Sequence, residues 1–184
     1  MTEREVIQEA LQAQLDADVA SDEWDVPPHL ALIVRVDGDL KFAPVPIEEE
    51  TWGVAEPHRV IHAAADAAQQ VHQRTGWTPF GPGQVLLGVA MFNEGWGVTE
   101  NSREAAAVLQ AWMSDGHRLV DHPLSIECKL VSAVLADDLP IMLMHGRGDV
   151  SMPSTDTGEV EGRVPDALAH MLNVFMGLTR GADA

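Results

Sequence analysis

The chain has 184 residues, 46% of them hydrophobic, enough for one domain to bury a substantial core and short for two. Its 29 acidic and 11 basic side chains leave a formal charge of −18, which argues against direct nucleic-acid binding because no basic patch exists to neutralise phosphate. No apolar run reaches the roughly 18 residues of a membrane span, and the N-terminus lacks a basic-then-apolar leader, so the expected location is cytoplasmic, away from membrane.

Thr2 followed by Glu5 is a capping-box pattern, and Val6, Ile7, Ala10, Leu11 and Leu15 recur at helical spacing, predicting a helix from about residue 3 to about 18. Residues 1–25 hold eight carboxylates against Arg4, a solvated acidic face. Pro27 and Pro28 make the next stretch an extended connector. His29–Val36, the dipeptide Asp37-Gly38 and Asp39–Ile47 predict a hairpin, because Asp-Gly supplies the positive φ angles of a type I′ turn. Pro44 and Pro46 remove ladder donors and place the second arm at a sheet edge. Glu48–Glu56 reads as a loop. Pro57 opens a second helix with Val60, Ile61, Ala64, Ala65, Ala68 and Val71 inward and Gly76 as its stop.

After the Gly- and Pro-rich loop 76–83 comes GQVLLGVAMFNEGWGVT, residues 83–99, predicted as the central strand. Gly95 and Gly97 are expected to end this strand or bulge it, with Trp96 covering the core edge. Asn101 with Glu104 signals a third helix ending near Gly116, followed by a polar loop, 115–123. Ser125–Ala136 and Pro140–His145 read as a second hairpin, 146–162 as a mobile loop, and Pro165 as the opening of a last helix carrying Leu168, Met171, Leu172, Phe175 and Met176. The order αββαβαββα predicts a single α+β domain: a five-stranded, mixed or mostly antiparallel sheet with two hairpins and helices packed on it. A doubly wound nucleotide fold is disfavoured, since it needs regular strand–helix alternation and a glycine-rich strand-to-helix turn, and neither is present.

Three constellations bear on chemistry. His58, His62 and Asp66 recur at i, i+4 and i+8 on the second helix, so one face offers ligands to a divalent metal, although the glutamate of the helical zinc-protease motif is missing. Asp115, His117, Asp121 and His122 bring two carboxylates and two imidazoles into one loop, where an aspartate can orient a histidine as a general base. Glu94, at the end of the central strand beside Trp96 and flexible glycines, suits an acid or base at a pocket mouth. Each also has a plain reading, as flanks of a packing stripe, a surface turn and a strand end. The single cysteine, Cys128, excludes an internal disulfide and a multi-cysteine zinc site, and reads as a buried structural thiol.

With no coherent catalytic set, the leading expectation is a non-enzymatic interaction or regulatory protein that binds another protein and self-associates as a homo-oligomer. Five tryptophans and a methionine-bearing last helix, Met171 and Met176, suit an interface. The alternatives are a small metal-assisted hydrolase and an acidic nucleic-acid mimic that blocks a nucleic-acid-binding partner. Arginine outnumbers lysine nine to two, and with the high alanine content this resembles the style of chains from high-GC bacteria and their phages.

Overall fold

Asp37 and Gly38 take φ values of 53° and 93°, the two positive angles of a type I′ turn. They join β1 (His29–Val36) to β2 (Asp39–Val45) with Val36 opposite Asp39. This hairpin opens one side of the sheet in a computed structural model that describes residues 1–81, 83–98, 110, 114–116, 118–123, 125–137, 140–148, 150–151 and 162–180. β3 (Gln84–Val98) lies against the other side of β1, followed by β4 (Ser125–Leu135), β5 (Pro140–Gly146) and a two-residue β6 (Val150–Ser151). The order is β2-β1-β3-β4-β5-β6, every pairing is antiparallel, and five of the strands are long. The fold is thus α+β, with β3 central and the proline-bearing β2 at an edge.

β3 carries a bulge against β1: Ile33 pairs with Gly88 but Val34 with Leu86. Leu86 and Val89, three positions apart, therefore reach the same core, which strict alternation would forbid. Gly88 has no side chain because a Cβ would stand 2.7 Å from the Val134 carbonyl oxygen. Beyond the bulge β3 does not stop or bulge at Gly95 and Gly97, as the sequence suggested. It runs on to Val98, with Gly95 opposite Cys128 and Gly97 opposite Ile126. The Leu130 side chain lies over Gly95, its terminal methyl 2.7 Å from where a Cβ would stand, a contact that a small shift of that methyl would relieve.

Helices cover both faces. α1 (Glu3–Ala20) closes its capping box as expected, with the Thr2 hydroxyl accepting from the Glu5 N–H and the Glu5 carboxylate accepting from the Thr2 N–H. It lays Ile7, Leu11 and Leu15 on a core with Ala31, Ile33, Phe92, Val131, Ile141 and Leu143. On the opposite face, α3 (Pro57–Thr75) and the last helix, α4 (Arg163–Arg180), bury Ile61, Ala65, Leu168, Met171 and Phe175 against Leu30, Leu32, Val89 and Met91. α3 stops at Gly76, which takes φ 70°. Where the sequence suggested a loop, Glu49–Val54 forms a short helix, α2. Glu49 and Glu50 suit its N-terminal dipole, and Trp52 packs onto the adjacent core.

Most of the helix expected from Asn101 and most of the loop expected at 146–162 lie outside the described residues; in the latter stretch Val150–Ser151 is not loop but β6, paired with the end of β5. No described helix is long and apolar enough to cross a membrane.

Candidate functional site

α1 ends at Ala20 and the chain then crosses the end of the sheet before entering β1 at His29. Two charged side chains reach up from facing positions on β3 and β4, Glu94 opposite Lys129, and both hold the connector by its backbone. Lys129 Nζ donates to the carbonyl oxygens of Asp18 at 2.8 Å and Glu23 at 2.5 Å. The Glu94 carboxylate accepts the N–H groups of Asp25 at 2.8 Å and Val26 at 3.4 Å. The connector makes this possible by turning sharply, with Asp22 and Asp25 at positive φ, 53° and 67°, a conformation aspartate tolerates better than most residues.

Lys129 answers a specific need. The last turn of α1 carries no basic residue of its own, yet a helix C-terminus exposes unpaired carbonyls and partial negative charge. A lysine supplied by β4 satisfies both. Two cations lie over the Trp24 ring, Lys129 Nζ 5.2 Å and the Arg147 guanidinium 4.8 Å from its centroid. Arg147 in turn pairs with Glu127 at 2.5 Å.

Beneath the connector is a cavity of about 100 Å³, with Asp18, Glu23, His29, Phe92, Glu94 and Lys129 in its wall. The His29 ring stacks on Phe92 with centroids 4.8 Å apart. Burial pushes its pKa below the usual imidazole value, against the opposing pull of the Asp18 carboxylate. On the neighbouring strand the Cys128 thiol is fully buried and points at the Gly95 carbonyl, 3.6 Å away. Desolvation, with the nearby Glu127 charge, pushes it up to about 11, which removes the thiolate a nucleophile needs at neutral pH.

The candidates named from sequence fall in separate places. Glu94 is half-buried and engaged with the connector. Asp115 and Asp121 are exposed, the latter ending a 3₁₀ turn at Leu119–Asp121, and His122 is half-buried beside it. His117 lies outside the described residues. His58, His62 and Asp66 stand on α3, across the sheet from the connector; there His62 meets His170 of α4, and His170 meets Asp66.

Among the described residues, the acidic and histidine ligand atoms that gather within 4.8 Å of one another are those of Asp25, Glu94 and Glu127. Glu94 already accepts two backbone N–H groups and Glu127 is paired with Arg147, so two of the three carboxylates are committed to protein partners. Lys129 and His170 were not singled out from sequence. Lys129 had a signal, being a lysine in phase with Val131, Ala133 and Leu135 on an otherwise apolar strand face. His170 had none, because its meeting with α3 is a tertiary contact.

No protein-family model, curated protein or solved structure matches this chain.

Proposed function

We propose that this chain is a non-catalytic binding protein that associates with a protein partner, first of all a second copy of itself, through the Asn93–Val98 end of β3. The observation that carries the reading is Trp96, which is 43% exposed on a length of strand that outruns its neighbour. β1 pairs with β3 only as far as Phe92, whereas β4 follows β3 to Val98. Among the described residues, Asn93–Val98 therefore has a strand partner on one side only. An unpaired strand edge is a template for another strand, and an exposed tryptophan beside it is a natural anchor. Val26, 42% exposed on the adjacent connector, adds apolar surface.

The hydrolase alternative has less to stand on. Glu94 is occupied in holding the connector, and the neighbouring thiol is buried and hard to ionise. The test is mass by light scattering at micromolar concentration. The expected result is a dimer or larger species that Trp96→Ser converts to monomer without loss of folded structure. A monomeric wild type that also captures no protein beyond what Trp96→Ser captures would overturn the proposal.

A further inference from the structure

On the outer side of the α3–α4 pair, two imidazoles from different helices meet. The rings of His62 on α3 and His170 on α4 have centroids 4.8 Å apart, with their planes tilted by 46°. One turn along α3 from His62, Asp66 brings Oδ1 to 3.5 Å from His170 Nε2. The side chains of His170 and Asp66 are 41% and 60% exposed, so a dissolved ion reaches them without opening the core. The backbone beneath is well anchored, since Ile61 and Ala65 on α3 and Leu168 and Met171 on α4 are fully buried.

An exposed histidine–aspartate pair alone is worth little, and it gives no reason for a second imidazole to stand against the first. Two imidazoles and a carboxylate from rigid helices are, by contrast, a donor set suited to a borderline divalent ion. We propose that His62, Asp66 and His170 form a surface site for one divalent transition-metal ion of the zinc type, with water completing its coordination, and that the ion clamps α3 to α4. As placed, the three ligand atoms do not all stand within 4.8 Å of one another; zinc–nitrogen bonds of about 2.0–2.1 Å in a tetrahedral site need the two ring nitrogens at roughly 3.4 Å, so binding must turn these side chains toward a common point. As placed, Asp66 engages His170 directly, so binding exchanges that contact for bonds to the ion. The site differs from the single-helix set read from sequence: its second imidazole is His170 from α4, in place of His58 from the preceding turn of α3.

That difference makes the site testable independently of any self-association at β3. Zinc chloride is titrated calorimetrically into the full chain, free of any histidine tag, and melting temperatures are read with and without zinc. The site predicts saturable one-to-one binding and a melting temperature raised by about 5–10 °C at about a hundredfold excess over the dissociation constant. His62→Ala and His170→Ala should each weaken binding at least about tenfold. His145→Ala should leave binding unchanged, because that ring pairs with Asp16 of α1, the helix on the other face of the sheet. Undiminished binding in His170→Ala, a loss in His58→Ala matching that in His62→Ala, or no saturable binding in the wild type would each overturn the site.

Discussion

Lys129 and Glu94 face each other on adjacent strands and divide one task between them: the lysine takes a carbonyl oxygen from the last turn of α1 and one from the connector, and the glutamate takes the connector's N–H groups. Lys129 is only 7% exposed, so its charge is solvated by those oxygens in place of water. Lys129→Met keeps the bulk and removes the donors. It should cost about 2–3 kcal/mol in urea unfolding and speed proteolysis between residues 20 and 29. His29 makes a different contribution, through pH. Its folded pKa lies below the unfolded value of about 6.5, so on acidification the unfolded chain binds a proton first. Stability that is intact above about pH 6.5 is lost as pH falls through the lowered folded value. Replacing His29 with Phe should therefore shrink the stability difference between pH 7.5 and pH 5.5, measured by denaturant midpoint.

At the scale of elements, α1 is the piece whose loss matters most. It alone among the described helices covers the sheet face formed by Ile33, Phe92, Val131, Ile141 and Leu143. It is tied at both ends: Arg4 to Asp137 and to the Pro140 carbonyl, Glu3 to Arg35, and Asp16 to His145 at 3.2 Å. Leu11, fully buried at its middle, is the position to truncate. Leu11→Ala should lower stability by about 2–5 kcal/mol, read from chemical denaturation, without altering the β1–β2 hairpin.

What could be read from sequence at this scale was whatever the chain specifies locally. The capping box at Thr2 and Glu5, the Asp37-Gly38 turn and the Gly76 stop each need only neighbouring residues, and each has the expected geometry. The strand through Gly95 was misread because glycine normally marks an end, whereas the pairing that carries β3 on through Gly95 and Gly97 comes from β4, distant in sequence. α2 was missed because three glutamates in a row suggest solvent, while Trp52 is drawn onto a core that only tertiary packing creates. The same limit hid His170 from the metal reading: nothing near it in the chain announces that α4 lies against α3.

For the whole molecule, the single sheet with a core on each face couples the two helical layers, and the net charge of −18 acts on that unit as a distributed repulsion. Much of it is concentrated on α1 and the connector, the segment that Lys129 and Glu94 hold down. Raising monovalent salt from about 10 mM to about 1 M shortens the Debye length from about 30 Å to about 3 Å. The melting temperature should rise over that range, because screening relieves self-repulsion in the compact state. A fall would mean that attractive pairs such as Arg4–Asp137 and Arg147–Glu127 outweigh the excess of negative charge.

Cys128, sealed between Gly95 and the strands on either side, also equips the protein with a built-in clock. With its thiol fully buried and its pKa pushed up to about 11, an alkylating reagent at pH 8 meets almost no thiolate until β3 and β4 part. Its modification rate should therefore follow the opening equilibrium of the strand pair. Lys129→Met, which loosens the cover over that end of the sheet, should accelerate labelling, and a partner bound along Asn93–Val98 should slow it. One native sulfur atom thereby reports on both the tether and the proposed docking edge without any added probe group.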